Sequence, residues 1–143
     1  MFNQKVMSNR IFLAMAITWT VAIMVMCWIP ITIHLPERDP NGWEILLPDL
    51  DKAVHFGIFS IFAVLWFLAL PIPGRSWKIF IAAIALAIVT ELVQRLPIVG
   101  RSCDLDDALY DIIGVIFALA FMIGIQAIVN RKRSNAMAPT MTA

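Results

Sequence analysis

Two short stretches of the chain place titratable and amide side chains at helical spacings. Asp51 and Lys52 precede His55 by four and three residues, so all three can share one side of a helix. Glu91 and Gln94 are again three residues apart. A histidine and a carboxylate on neighbouring helices can bind a ligand through hydrogen bonds, or one of them can act as a general base.

A third stretch carries a row of acidic residues. Asp104, Asp107, Asp111 and Gly114 follow one another at steps of three, four and three, which aligns them on one side of a helix. Gly114 would let a neighbouring helix approach closely. Together the three stretches predict one polar binding site. Its candidate residues are Lys52, His55, Glu91, Gln94, Arg101, Asp104, Asp107 and Asp111.

The residue types favour binding over any particular reaction. His55 or Glu91 could act as a general base, but the sequence contains no GxSxG motif, and the nearest nucleophiles, Ser102 and Cys103, have no assigned base. We therefore assign no catalytic residue. No HExxH or comparable spacing is present, so we predict no metal ion and no other cofactor.

Other roles stay open for several of these residues. Lys52, Arg95 and Arg101 could hold a phosphate-bearing head group, although the many nearby carboxylates argue against a simple anion site. Asp104 could instead cap a helix, and Lys52 could extend to the membrane interface. A purely structural ion-pair network with Arg95 and Arg101 is also open for four residues, namely His55, Glu91, Asp107 and Asp111.

The elements that must position these residues are strongly apolar. The 143-residue chain is 61% hydrophobic and 15% charged, with a mean hydropathy of +0.84. Soluble domains are about 45–50% apolar and about 25% charged. The composition excludes a soluble globule and a disordered chain, and the net charge of +1 excludes a nucleic-acid module driven by bulk charge. It predicts an integral membrane protein.

Runs without formal charge predict an all-α protein with four transmembrane helices in an up-down bundle. The spans cover about residues 11–33, 54–72, 78–96 and 109–130, within one domain over residues 1–130. Residues 131–143 are expected to form a basic, disordered cytoplasmic tail. Helices are expected because only they and closed barrels satisfy the backbone in lipid. No small-x-small cleavage site follows the first span, so we expect it to be retained.

The third span is too short without its polar end. Ile79 to Thr90 comprises 12 residues, which form about 18 Å of helix, whereas the hydrocarbon core is about 30 Å thick. Glu91 and Gln94 must therefore enter the membrane. We expect Glu91 to face protein or a water-filled cleft, because a carboxylate that faces lipid is costly.

Basic residues set the predicted orientation. Seven lie at the N-terminus, in the second loop and in the tail, and four lie in the other two loops, which places both termini in the cytoplasm. All ten acidic residues and both histidines then lie on the outer side. We therefore expect the polar site on the extracytoplasmic face. Cys27 and Cys103 could both lie toward that side, but two cysteines do not establish a disulfide.

The polar motifs resemble those of the VanZ-like family of small bacterial membrane proteins. The resemblance covers about residues 45–125, with each motif at a predicted helix end and in the family's order and spacing. The motifs are Asp51-Lys52…His55-Phe56, Glu91…Gln94 and Gly100-Arg101…Asp104-Leu105…Asp107…Gly114. The family commonly has asparagine where this chain has Asp111.

The resemblance implies a multi-pass protein of the bacterial cytoplasmic (inner) membrane. The family is named for a member of a glycopeptide-resistance cluster associated with low-level teicoplanin resistance, so a contribution to such resistance is one implied function. The residues that match the shared pattern, and on which we expect function to depend, are His55, Glu91, Gln94, Arg101 and Asp107.

We expect an outward-facing polar pocket that recognises a component of the cell envelope. A lipid-linked, phosphate-bearing or peptidoglycan-precursor ligand is the favoured class. Two alternatives stay open, namely a membrane enzyme that acts on a lipid-linked substrate and a structural or assembly protein. The expected partners are the lipid bilayer and such a precursor; we expect no nucleic acid and identify no protein partner.

Overall fold

The computed structural model describes residues 2–28, 46–96 and 105–137. In these ranges the chain forms four α-helices: α1 (Phe2–Trp28), α2 (Leu46–Ala69), α3 (Arg75–Gln94) and α4 (Leu105–Met137). Each is long and apolar enough to cross a membrane. The prediction of an all-helical protein with four helices of membrane-spanning character is confirmed.

Helix α2 begins and ends earlier than the predicted span at residues 54–72. It starts at Leu46 and stops at Ala69, just before Pro71, whose ring removes a backbone donor and ends the helical ladder. Gly74 then precedes α3 with a φ of 66°, a left-handed conformation that glycine adopts without a steric cost. The connection between α2 and α3 is therefore short.

Helix α4 continues beyond the predicted span at residues 109–130. It runs to Met137, so residues 131–137, expected within a disordered tail, are helical. Arg131, Lys132 and Arg133 are good helix formers, and the next helix-breaking residue is Pro139. Residues 138–143 lie outside the described residues.

Helix α2 provides most of the core. It contacts all three other helices, most extensively α4 and then α1. Phe59, Phe62, Ala63 and Phe67 are buried along its inner face, where they pack against buried residues of the neighbouring helices. Trp19 of α1 adds a hydrogen bond of 2.9 Å from its Nε1 to the Ile58 carbonyl oxygen.

Large apolar side chains cover the outside of the helices. Ile88, Phe117 and Phe121 are each more than half exposed. In water, a surface of this kind promotes association, whereas in a bilayer the same side chains contact hydrocarbon. The outer surface therefore fits a membrane-embedded protein.

The buried face of α3 changes from apolar to polar along the helix. Ile79, Ala83 and Ala87 are buried at steps of four residues, and Glu91 continues the series at the next step. Gln94, also buried, follows near the end of the helix. The prediction that Glu91 faces protein rather than lipid is confirmed.

Helices α2 and α4 cross closely at Gly114. A Cβ atom at this position would overlap the carbonyl oxygen of Phe56 and would lie 3.0 Å from Ser60 Oγ. Ser60 Oγ donates a hydrogen bond of 3.0 Å to the Gly114 carbonyl oxygen. The predicted role of Gly114 in close helix approach is confirmed.

Replacing Gly114 with alanine should push α2 and α4 apart. Overpacking of this kind costs about 1–3 kcal/mol, so the melting temperature in detergent should fall. Gly124→Ala is the matched control, because a Cβ at Gly124 of the same helix meets nothing within 4 Å. The control should melt at or slightly above the wild-type temperature, since glycine inside a helix costs about 0.5–1 kcal/mol relative to alanine. Equal melting temperatures for the two variants would contradict the close crossing.

Candidate functional site

His55 of α2 bridges two carboxylates of α4. Its Nδ1 lies 2.9 Å from Asp111 Oδ1, and its Nε2 lies 3.6 Å from Asp107 Oδ2. All three residues are buried, and Asp111 is only 1% exposed. The spacing of four residues puts both carboxylates on the α4 face that meets α2, so one imidazole ring connects the two helices.

The protonation of the imidazole decides which of these contacts are hydrogen bonds. With a proton on Nδ1, His55 donates to Asp111. With protons on both nitrogens, the ring is a cation that faces a carboxylate on each side. Buried charges need such pairing, because removing one partner leaves an uncompensated charge in a medium of low dielectric.

Helix α3 brings a third polar segment to the same place. Glu91 is 8% exposed and Gln94 is 2% exposed. The carboxyl groups of Glu91 and Asp107 both lie near that of Asp111. We call His55, Glu91, Asp107 and Asp111 the acidic cluster; Gln94 lies one helical turn beyond Glu91.

One carboxylate oxygen of this cluster is left without a donor. Glu91 Oε2 is buried and accepts no hydrogen bond from any described residue. A buried acceptor in this state costs about 1–3 kcal/mol, and more when it is charged. A ligand that presents an N–H or O–H group would remove this cost.

Lys52 lies at the rim of the site. Its Nζ is 3.9 Å from Asp106 Oδ2 and 5.7 Å from the centre of the Tyr110 ring. The side chains of Lys52 and Asp106 are 30% and 61% exposed, and exposed pairs of this kind contribute about 0–1 kcal/mol. Lys52 is therefore a partly exposed cation beside the acidic cluster.

The structure brings five of the eight predicted site residues together in a buried region. These are His55, Glu91, Gln94, Asp107 and Asp111. Arg101 and Asp104 lie outside the described residues, as do Ser102 and Cys103.

Sequence reasoning did not single out the partners of Lys52. Asp106 and Tyr110 are four residues apart, one position out of phase with Asp107 and Asp111. That second stripe was a usable signal, because residues at this spacing share a helical face. Within the described residues, no group of three or more histidine, cysteine, aspartate or glutamate side chains is placed to hold a metal ion.

Four membrane-length helices with a buried histidine–carboxylate cluster define a multi-pass helical membrane protein with a polar site among its helix ends. The sequence matches the VanZ/LLP1 family over residues 10–127, a range that includes the whole acidic cluster. The chain belongs to this family, as the polar motifs predict. No curated protein and no solved structure matches the chain.

Removing the Asp111 carboxylate should destabilise the protein strongly. Asp111→Ala leaves His55 buried without its closest partner, a loss of about 3–5 kcal/mol for a buried pair. The exposed Asp106→Ala variant should cost no more than about 1 kcal/mol. Unfolding in detergent measures both effects.

A double-mutant cycle separates the His55–Asp111 contact from the loss of each side chain. The variants are His55→Ala, Asp111→Ala and the combination of the two. Residues in direct contact show interaction energies of about 0.5–3 kcal/mol, and strictly additive effects would contradict the bridge.

Proposed function

We propose that this VanZ-family membrane protein recognises a component of the bacterial cell envelope through the acidic cluster. The observation that carries the proposal is Glu91 Oε2, a buried acceptor that no described residue satisfies. A protein can keep such a group at a cost in stability when the group serves a ligand. The VanZ/LLP1 match supports a membrane role but names no ligand.

The chemistry of the cluster selects a donor-rich ligand. Three carboxylates and one histidine offer far more acceptors than donors. Hydroxyl, amide and amino groups fit such a site, whereas a phosphate would be repelled unless cations held it. Lys52 at the rim supplies one such cation.

A lipid-linked cell-wall precursor combines these features. Its lipid tail partitions into the bilayer, while its sugar and peptide groups stay near the interface. The position of the cluster along its helices supports this match, because Glu91 and Gln94 belong to the last turns of α3 and Asp107 and Asp111 to the first turns of α4. The same proposal covers a phosphate-bearing precursor whose phosphate stays at the rim.

The proposal places the acidic cluster on the extracytoplasmic face of the cytoplasmic membrane. The distribution of basic residues supports this orientation, with seven of eleven on the sides predicted to be cytoplasmic. In this orientation both termini are cytoplasmic, and successive helices cross the membrane in opposite directions. Envelope precursors on the outer leaflet could reach the site directly.

A structural role is the second candidate, and one observation favours it. His55 joins α2 to α4 through a buried contact of 2.9 Å with Asp111, so the polar residues also fix how these helices pack. Under this alternative the acidic cluster only fixes how the helices pack against one another. Glu91 then contributes to stability rather than to ligand recognition.

Glu91→Gln separates the two candidates. Glutamine keeps the size of the side chain and removes a buried carboxylate with an unsatisfied oxygen. Under recognition, the variant should melt at or above the wild-type temperature and lose a co-purifying lipid, measured by unbiased lipid analysis of the purified proteins. Asp106→Asn is the matched control and should retain that lipid. A lower melting temperature with an unchanged lipid profile would support the structural role, and conversion of the bound lipid by purified protein would indicate an enzyme.

If the recognised component is a precursor that glycopeptide drugs also bind, the protein should contribute to resistance against these drugs. Bacteria that express the wild-type protein should then show lower teicoplanin susceptibility than bacteria that express Asp107→Asn at an equal membrane level. The Asp106→Asn strain should behave like the wild-type strain. Equal susceptibility of all three strains, and of a strain without the protein, would exclude the resistance role.

A further inference from the structure

A groove away from the acidic cluster runs between α1, α2 and α3. Its volume is about 500 Å³, within the range usual for small-molecule sites, about 300–1,000 Å³. Helix α3 forms one wall from Lys78 to Val89, and the small side chains of Ala82 and Ala85 leave room there. Trp66 of α2 is part of the lining. The groove shares no lining residue with the acidic cluster.

The groove has the length of one leaflet of a bilayer. The stretch of α3 from Lys78 to Val89 rises about 16 Å at 1.5 Å per residue, and half of a hydrocarbon core is about 15 Å. Since α3 begins at Arg75, Lys78 lies in its first turn, and a lysine near the end of a spanning helix is expected to reach the head-group level. The groove therefore extends from the interface toward the bilayer centre.

The polar groups that line the groove are already satisfied by the protein. Trp66 Nε1 donates a hydrogen bond of 3.1 Å to Thr20 Oγ1, and Thr20 Oγ1 donates one of 2.8 Å to the Ala16 carbonyl oxygen. Along its length the groove therefore has an almost wholly apolar surface. A hydrocarbon chain matches that surface, because it brings no polar group that would need a partner.

Lys78 gives the interfacial end of the groove a positive charge. Its side chain is exposed, and no carboxylate among the described side chains pairs with it. The acids whose side chains the structure describes, namely Glu91, Asp106, Asp107 and Asp111, belong to the opposite end of α3 or to the start of α4. An apolar groove with one cation at the interface is complementary to an acyl chain that ends in an anionic head group.

We propose that this groove binds one acyl chain of an anionic phospholipid, with the phosphate of that lipid on Lys78. The inference is independent of the function proposed for the acidic cluster. A second copy of this chain is the main competing occupant, because Ala82 and Ala85 would also suit a neighbouring helix. The acyl chain is favoured because the groove ends in a charged lysine at head-group level.

Native mass spectrometry of the detergent-purified protein tests the site. Phosphatidylglycerol and phosphatidylcholine with identical acyl chains serve as the probes. Wild-type protein should bind phosphatidylglycerol about fivefold more tightly, as expected for one lysine near a lipid phosphate. Lys78→Gln should abolish that preference and lower the affinity for phosphatidylcholine much less, because the choline ammonium already balances the phosphate charge of that lipid. Ala85→Phe, which fills the groove, should weaken the binding of both lipids.

Two matched variants define specificity. Lys132→Gln removes an exposed basic side chain of α4, and Ile88→Phe enlarges an exposed side chain of α3 outside the groove lining. Both should bind lipid like the wild type. If Lys132→Gln lost as much phosphatidylglycerol binding as Lys78→Gln, the preference for this lipid would come from the general surface charge, and the proposal would be overturned. A dimer that Ala85→Phe converts to a monomer would assign the groove to a contact between two copies and overturn it as well.

Discussion

Hydrocarbon cannot solvate an ionised side chain, and this constraint governs how α2, α3 and α4 come together. His55, Glu91, Asp107 and Asp111 all lie on helices of membrane-spanning character, and all are buried. Pairing inside the protein is the available compensation. The contact of 2.9 Å between His55 and Asp111 provides it, and it requires the third turn of α2 to lie beside the second turn of α4.

The glycine at the α2–α4 crossing serves the same requirement. Gly114 lies one helical turn beyond Asp111, where the Phe56 carbonyl oxygen leaves no room for a Cβ. Ser60 then donates to the Gly114 backbone at 3.0 Å. Close backbone approach and charge pairing are thus neighbouring parts of one interface, and each depends on the other.

The start of α3 handles charge in a different way. Arg75 stacks on Phe67 at 3.6 Å from the ring centre, and its guanidinium donates to the Leu70 carbonyl oxygen and to Gln126 Oε1. None of these partners is a carboxylate. A guanidinium spreads its charge over a flat group that an aromatic face and neutral oxygens can stabilise. Arg75 therefore needs no carboxylate among the described side chains.

Much of this arrangement could be predicted from spacing alone. The shortness of the third apolar run predicted that Glu91 faces protein or a water-filled cleft, and the stripe of Asp107, Asp111 and Gly114 predicted one shared face of α4. Glu91, Asp107 and Asp111 are all buried. The stripe of Asp106 and Tyr110 could have marked a second polar face of α4. Spacing within one helix does not reveal which helix lies opposite, so the double contact of His55 and the choice of Lys52 as the partner of that face depend on the packing. The groove beside Lys78 was also missed, because it depends on how three helices pack.

The separation of His55 and Asp111 along the chain has a consequence for synthesis. The two residues are 56 positions apart, and helix α3 lies between them. Chains emerge from the ribosome with the N-terminal part first, so α2 and α3 reach the membrane before the carboxylates of α4 exist. A nascent chain that stops after α3 carries His55 and Glu91 without the helix that completes their buried surroundings. Completion of α4 is therefore the step that supplies the carboxylates with which His55 pairs.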